Sequence, residues 1–193
     1  MYAVPKPSSD DLSALSTLLK QAERPLLLLG TGVRLSDSQE DVLRFAETHQ
    51  VPIVTAWSHD VCDNAHPLFI GRPGTIGTRP GNFAVQSCDL LIVLGSRLNV
   101  RQVSYNWGSF AKRARIVMVD IDDAELCKPY LAIDLPIHSD IKHFLIAFEE
   151  QRFNFDMAIN VNLLNKRREW VERLRTIANM YKASQSCLLY TSD

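Results

Sequence analysis

Short glycine-rich or acidic segments that could hold a nucleotide follow several of the apolar runs in this sequence. Gly30-Thr31-Gly32 follows "PLLLL", Gly71 to Gly77 follows "PLFI", Gly95-Ser96-Arg97 follows "LLIVL", and Asp120-Ile121-Asp122 follows "IVMV". Glycines let a backbone approach a phosphate closely, and an arginine can pair with phosphate oxygens through two parallel hydrogen bonds. The aspartates could accept hydrogen bonds from ribose hydroxyls or an adenine amine. These residue types favour holding a nucleotide over breaking a bond.

Each segment also has a structural interpretation that the sequence leaves open. "GTGV" does not complete a G-x-G-x-x-G fingerprint, because Leu35 stands where the third glycine would be, so an NAD site of that type is not favoured. The glycines from Gly71 to Gly81 could serve turns in a surface loop. Arg97 could be a solvated surface residue. Asp120 and Asp122 could cap the short helix "DAEL", which is the favoured role for Asp122.

Conventional catalytic groupings are absent from the sequence. There is no G-x-S-x-G elbow and no P-loop lysine. Three histidines fall at or in predicted helices, where structural roles are favoured, and two more share a loop with Asp60 and Asp63 without the spacing of a metal site: His49, His138 and His143, then His59 and His66. The four cysteines form no CxxC pair, so neither a zinc site nor a redox motif is indicated.

Helices and strands are predicted to alternate along most of the chain. The predicted order is a helix from Ser9 to about Arg24, a strand at Leu26 to Gly30, a helix at Ser36 to Gln50, strands at Val51 to Ala56 and in "PLFIG", a helix in "NFAVQSC", strands at Asp89 to Ser96 and Arg115 to Asp122, and a helix from about Asp140. Runs that are apolar on both faces are typical of buried parallel strands. The pattern therefore predicts an α/β fold, a Rossmann-like doubly wound and mostly parallel sheet with helices on both faces. Ligands bind such sheets at the carboxyl ends of the strands, where the four segments above would meet.

A long amphipathic helix without a following strand is predicted beyond Arg152. Trp170, Leu174, Ile177 and Tyr181 fall at helical spacing, with charged residues between them. Such a helix needs a surface to lie on. It either packs back on the sheet or belongs to a linker toward a further domain.

Composition bounds the classes of partner. The chain has 193 residues, of which 46% are hydrophobic and 22% charged, and its formal net charge is -1. This balance argues against nucleic-acid binding, which usually shows a basic excess. The longest apolar runs, such as "DLLIVLG", fall far below the roughly 20 residues of a spanning helix, so no membrane partner is expected. No signal region follows Met1, and a cytoplasmic location is expected.

The order of these motifs resembles a known family. "AERPLLLLGTGVRLS", "FAETHQVPIVTAW", "HPLFIGRPGTIGTRPGNFAVQSCDLLIVLGSRLNVRQ" and "RIVMVDIDDAEL" with "DLPIHSD" are similar, in sequence and order, to the central domain of thiamine-diphosphate-dependent enzymes of the acetolactate synthase type. The resemblance covers roughly Ser9 to Gln151. It departs from the usual synthase pattern where synthases read "GARFDDR" and "GMLGMHG", since this chain has "GSRLNVR" and "GRPGTIG". These departures favour a relative with a different 2-keto acid substrate.

The resemblance implies a parent enzyme of three domains. The first would bind the pyrimidine of thiamine diphosphate and supply the activating glutamate, and the last would bind the diphosphate and Mg2+ through a GDG-type motif. Neither feature is in this sequence, so we expect no catalytic residue and no metal ligand here, and no activity of the chain alone. The implied boundaries are a linker at residues 1–8, the central domain at 9–152 and a helical linker toward a C-terminal domain at 153–186. Family members assemble as homodimers or homotetramers.

In acetolactate synthases the central domain holds FAD, and in oxalyl-CoA decarboxylase relatives it holds an adenine nucleotide. Other members keep the fold with nothing bound. The resemblance therefore makes FAD a candidate cofactor of this domain. The positions that match the flavin-contacting loops of the family are Gly30, Gly32, Gly74, Gly77, Gly95, Ser96, Arg97, Asp120 and Asp122.

The last seven residues have a separate interpretation. Cys187 to Asp193 match the translation, in one reading frame, of a transposon end used in sequencing libraries. We therefore expect residues 187–193 to be a non-native tail.

Two other functional classes compete with the enzyme-domain hypothesis. One is a free-standing module that binds FAD or NAD and works with a separate partner. The other is a sirtuin-like deacylase, which uses a related sheet but needs a catalytic histidine and usually a zinc module. The absence of CxxC pairs disfavours the deacylase.

Overall fold

The computed structural model describes residues 4–57, 60–154 and 160–181. Outside the described residues lie His59, residues 155–159 and 182–186 of the predicted linker, and the predicted tail at 187–193. The helices are α1 (Ser9–Gln21), α2 (Gly32–Leu35), α3 (Gln39–His49), α4 (Arg79–Ser87), α5 (Val100–Val103), α6 (Asp123–Leu126), α7 (Ile141–Asn154) and α8 (Val161–Met180). The strands are β1 (Pro25–Leu29), β2 (Ile53–Thr55), β3 (Phe69–Gly71), β4 (Leu90–Leu94), β5 (Arg115–Asp120) and β6 (Leu135–His138).

The six strands form one parallel sheet in the order β3-β2-β1-β4-β5-β6. β1 lies at the centre, where Leu28 is opposite Val54 of β2 on one side and Val93 of β4 on the other. The chain thus builds the sheet outward from β1 in one direction and then in the other, so the strand order reverses between β1 and β4. The predicted doubly wound α/β fold is confirmed.

The alternation of side chains along the central strands divides the core into two layers. Leu27 and Leu29 of β1 face the layer that also holds α1, α3 and α7, with Phe45 and Phe148 among its largest members. Leu26 and Leu28 face the layer that holds α4, α5 and α6. Because all five residues of β1 are buried, both of its faces are apolar.

The local signals of α1 agree with its start in the structure. The Ser8 hydroxyl accepts a hydrogen bond from the Asp11 amide at 3.1 Å, and the Asp11 carboxylate accepts one from the Ser8 amide at 3.1 Å. This reciprocal capping satisfies amides that the first turn leaves unpaired. The helix ends at Gln21, and Pro25 then opens β1.

Helix α8 packs back on the domain. Trp170 and Leu174 are buried in the layer with α4, and Val171 contacts the opposite layer. Arg167 is 1% exposed and donates hydrogen bonds to carbonyl oxygens at the ends of two helices, with Nη1 2.9 Å from His49 O and Nε 3.1 Å from Ala22 O. Of the two alternatives given for this helix, the structure therefore shows the first, in which it packs back on the sheet domain. The division of the chain at residue 153 stays a prediction.

The described cysteines are free thiols that differ in exposure. Cys62 and Cys88 are buried as free thiols, whereas Cys127 is exposed. Within the ranges that the structure describes, no helix is both long enough and apolar enough to cross a membrane.

Candidate functional site

A cavity opens at the carboxyl ends of the strands where their order reverses. Its volume is about 420 Å³, within the range of roughly 300 to 1,000 Å³ that is typical of small-molecule sites. Its wall consists of the loops that follow β1, β4 and β5 and the start of α7. The predicted site residues that line it are Gly30, Gly32, Gly95, Ser96, Arg97, Asp120 and Asp122.

The floor of the cavity is made by two glycine loops that touch each other. The Gly32 amide donates to the Gly95 carbonyl oxygen at 3.0 Å. A Cβ on Gly32 would lie 2.6 Å from the Gly95 Cα, and a Cβ on Gly30 would lie 2.2 Å from the Gly95 carbonyl oxygen. Gly95 itself has a φ of +59°, which L side chains rarely adopt. These glycines are therefore required for the approach of one backbone to the other, which keeps the floor free of side chains.

Ser96 and Gln102 form a buried polar pair in the wall. The Ser96 hydroxyl donates to Gln102 Oε1 at 2.9 Å. Gln102 is 7% exposed, and its Nε2 is buried without a hydrogen-bond partner among the described residues. Buried amide donors are almost always paired, so an unpaired one at a cavity wall is a candidate for contact with a ligand oxygen or a bound water.

Sequence reasoning selected Ser96 but missed Gln102. The available signal was Asn99, whose side chain accepts from the Arg101 amide and so begins the four-residue helix α5. That cap turns the chain back toward the cavity and places Gln102 behind Ser96. A single turn of helix has no periodicity that could have indicated which of its residues points inward.

Acidic side chains form the opposite wall. Asp120 is 7% exposed, and burial raises the pKa of its carboxyl group above the ordinary value. Its Oδ1 accepts a hydrogen bond from the Asp122 amide at 3.0 Å. Asp122 caps α6, since its Oδ1 accepts from the Ala124 amide at 3.0 Å, as the sequence favoured. Asp120 is thus the better placed of the two to accept hydrogen bonds from a ligand hydroxyl or amine.

Arg97 lies at the rim. Its side chain is 72% exposed, and Nη1 is 3.8 Å from Glu125 Oε1. Its carbonyl oxygen accepts a hydrogen bond from Lys128 Nζ, and that lysine also contacts the Glu125 carboxylate. The backbone of Arg97 is therefore fixed, while its guanidinium group remains in solvent. Contact between Arg97 and a phosphate stays a prediction.

Gly74 and Gly77 do not line the cavity. The loop that holds them packs on α4 and α5: the Gly74 amide donates to Asn82 Oδ1 at 2.8 Å, and the Thr75 amide donates to the Arg101 carbonyl oxygen at 2.8 Å. A Cβ on Gly77 would lie 2.4 Å from the Arg72 carbonyl oxygen. The structure therefore gives these two glycines a packing role beside α5.

A second cavity, of about 790 Å³, adjoins the first and shares Thr31, Ala56, Asn99 and Gln102 with it. The Arg101 guanidinium lies 5.0 Å from the centre of the Trp57 ring in its wall. Arg34 also lines it and pairs with Asp60, with Nη1 2.8 Å from Oδ2. The two cavities thus share part of their walls. Acidic side chains line the first at the β5 end, whereas Trp57 and two arginines line the second. Sequence reasoning did not select Trp57, Arg34 or Arg101.

Three of the histidines, His49, His66 and His138, have contacts within the fold. His49 is 3% exposed and its ring centre lies 4.6 Å from that of Phe45. His66 Nε2 is 3.2 Å from Glu47 Oε1, and His138 Nε2 is 3.0 Å from the Ile121 carbonyl oxygen. Across the described residues, no three His, Cys, Asp or Glu side chains are grouped closely enough to hold a metal ion.

Fold and site together define the class of this protein: a Rossmann-like α/β domain with its cavity at the switch point, the place where dinucleotides bind in such sheets. Comparison with known proteins gives the family. The chain belongs to the family described as thiamine pyrophosphate enzyme, central domain, whose model matches residues 12–148.

Similar proteins are acetolactate synthases. The chain is 40% identical over 129 residues to a probable acetolactate synthase large subunit of Methanocaldococcus jannaschii, covering 66% of this chain and 22% of that protein. It is 32% identical over 194 residues to the acetolactate synthase large subunit of Cyanidium caldarium, covering 97% and 32%. With acetolactate synthase isozyme 1 large subunit of Escherichia coli the identity is 34% over 153 residues, covering 77% and 27%. The chain thus spans between about a fifth and a third of the length of these relatives.

Proposed function

We propose that this chain is the central domain of a thiamine-diphosphate-dependent carboligase or decarboxylase of the acetolactate synthase type that acts on a 2-keto acid. Thiamine diphosphate and Mg2+ would be held by other parts of the parent enzyme, which would work in the cytoplasm as a homodimer or homotetramer. The cofactor takes up the electrons released when the keto acid loses CO2. The central domain would contribute a scaffold and a nucleotide site, and would be inactive alone. Family membership and the names of the relatives support this proposal.

The cavity supports an adenine nucleotide, and FAD in particular, as the ligand of this domain. The observation that carries this proposal is the buried Nε2 of Gln102, which has no hydrogen-bond partner among the described residues and lines the same cavity as the buried Asp120 carboxyl group. Asp120 would accept hydrogen bonds from ribose hydroxyls or the adenine amine. The backbone of Gly30, Gly32 and Gly95 would lie against the diphosphate, and Gln102 would donate to one of its oxygens. The second cavity would accommodate the rest of a dinucleotide.

A titration of the purified chain with FAD tests the nucleotide site, with flavin fluorescence as the readout and ADP as competitor. We expect saturable FAD binding that ADP displaces. The variant Gln102→Leu should raise the Kd by about tenfold, because it removes one hydrogen bond to a charged group. Gln86→Leu is the matched control, since Gln86 is exposed on α4, away from both cavities.

The same titration can refute the proposed nucleotide site. If Gln102→Leu binds FAD as tightly as the parent chain while keeping its melting temperature, the unpaired amide does not contact the nucleotide. If neither FAD nor ADP binds, the domain is one of the family members that keep the fold with nothing bound.

A free-standing nucleotide-binding module is not favoured as the alternative, because the relatives of this chain are acetolactate synthases in which the matched region is one part of a longer enzyme. Decarboxylation of a 2-keto acid by a longer protein that contains this chain, dependent on thiamine diphosphate and Mg2+, would test the enzyme proposal itself. Failure of that reaction with FAD binding intact would separate the two proposals.

A further inference from the structure

A groove at the outer edge of the sheet, away from the two cavities above, collects arginine side chains. It lies between β3, the first turn of α4 and the end of α8, and has a volume of about 740 Å³. Arg72, Arg79 and Arg175 line it, whereas no carboxylate of the described residues does. None of its lining residues belongs to the cavities at the switch point. The groove is therefore a separate, positively charged surface on a chain whose net charge is -1.

Arg72 is held in the groove by uncharged partners. Its Nη2 donates to Asn64 Oδ1 at 2.9 Å, and its guanidinium carbon lies 5.1 Å from the centre of the Phe69 ring. Its Nε is buried and has no hydrogen-bond partner among the described residues. These contacts orient the guanidinium group without neutralising it, and they leave one buried donor unpaired.

Arg79 and Arg175 also lack a carboxylate partner within the part of the chain that the structure describes. The Arg79 guanidinium carbon lies 5.2 Å from the centre of the Tyr181 ring, and Arg175 projects from the exposed face of α8 into the same groove. Other arginines of the chain are neutralised, as Arg115 is by Asp134 at 2.7 Å. The groove is thus a place where guanidinium groups from three separate segments of the chain converge without a carboxylate partner among the described residues.

The two helix ends at the groove do not account for its sign. The positive end of the α4 dipole and the negative end of the α8 dipole both lie there, so their effects offset each other. The side chains decide the local potential. A guanidinium group presents paired N–H donors in its own plane, and these match the oxygens of a phosphate group. Contact between the face of the guanidinium group and an aromatic ring leaves these donors free.

We propose that this groove binds a small phosphoanion through Arg72, Arg79 and Arg175. The arginines supply donors from the loop after β3 and from α4 and α8, so an occupied groove would also tie the end of α8 to the edge of the sheet. The site is independent of the proposed nucleotide site, because no residue is shared between them.

An amide NMR titration of the purified 15N-labelled chain with inorganic diphosphate tests the proposal at fixed ionic strength. We expect saturable shifts at Gly71, Thr78 and Asn179. The variants Arg79→Gln and Arg175→Gln should each raise the Kd by about tenfold or more, since each removes a charge-assisted hydrogen bond. Both residues are exposed, so folding should be unaffected. Arg173→Gln is the matched control, because it removes an exposed arginine of α8 that does not line the groove.

Three outcomes would overturn this proposal. The first is no saturable shift at the groove, or equal weakening by Arg173→Gln, which would indicate general electrostatic attraction. The second is shifts confined to Gly30, Gly32 and Gly95, which would place the diphosphate in the nucleotide site instead. The third is loss of diphosphate binding in a longer protein that contains this chain, which would show that another protein segment covers the groove.

Discussion

Replacing Arg167 with methionine should unfold the domain at a distinctly lower denaturant concentration. The guanidinium group is buried and bridges the carboxyl ends of α1 and α3, where it donates to the carbonyl oxygens of Leu19, Ala22 and His49. Helix ends leave such carbonyls unpaired, and a cation there also interacts favourably with the helix dipoles. Methionine keeps a long apolar side chain in the space but removes every donor.

The size of the effect follows from two opposing contributions. Hydrogen bonds from a charged group are each worth about 1.5 to 3 kcal/mol, which for three carbonyl acceptors gives roughly 5 to 9 kcal/mol. Burying the guanidinium group has a cost of several kcal/mol, and burial lowers the pKa of Arg167 to about 10, so the side chain remains charged at neutral pH. The difference is a loss of about 2 to 4 kcal/mol in the free energy of unfolding.

Urea denaturation followed by circular dichroism measures this loss. With an m-value of about 2 kcal/mol/M, the midpoint of Arg167→Met should fall by about 1 to 2 M. Arg168→Met is the matched control, because Arg168 is exposed on the same helix and its one hydrogen bond goes to Asn165, so its midpoint should change little. Equal midpoints for the two variants would refute the reasoning, since they would mean that α8 does not depend on the buried arginine for its place on the domain.

Two further predictions concern the cavity. Gly95→Ala should lower the melting temperature and weaken FAD binding, because its backbone has a φ of +59° and a Cβ there would lie 2.6 Å from the Gly32 Cα; Gly108→Ala, where a Cβ meets nothing within 4 Å, should change neither quantity. Burial raises the pKa of Asp120, so the folded state binds the proton of this carboxyl group more tightly than the unfolded state does. The contribution of Asp120 to the free energy of unfolding is therefore lost as the pH rises from the ordinary aspartate pKa to the raised one. Asp120→Asn should therefore gain stability relative to the parent chain across that window in urea titrations at successive pH values, and a constant difference would contradict the burial argument.

The sheet could be predicted from sequence because its central strands are continuous apolar runs of strand length. The elements that were missed carry weaker signals. β6 contains Pro136 within the strand, which an edge strand tolerates but which weakens the strand signal in the sequence. α4 begins at Arg79, three residues before the predicted start, although Thr78 as a cap and Pro80 in the first turn are both recognisable signals. α2 and α5 are single turns, too short for periodicity.

Arg167 shows a different limit. Arginine is usually exposed, so its burial could not be inferred from its type or from the amphipathic pattern of α8. The acceptors that make its burial possible belong to α1 and α3, more than a hundred residues earlier in the chain. Only the assembled fold brings those carbonyl groups to one point. The same reason explains Trp57 and Arg101, whose contact depends on the loop after β2 and on helix α5, which follows β4.

The glycine-rich segment from Gly71 to Gly81 illustrates how a motif can serve a site without touching it. Gly74 has a φ of +129°, and a Cβ there would lie 2.6 Å from the Arg101 carbonyl oxygen, which also accepts the Thr75 amide. The loop therefore fixes α5 in place, and α5 carries Gln102 to the junction of the two cavities. Glycine spacing alone suggests direct contact with a phosphate. The contacts indicate instead that Gly74 acts through α5, because the close approach it permits is to the backbone of that helix, whereas Gly77 permits the loop to pack on its own Arg72.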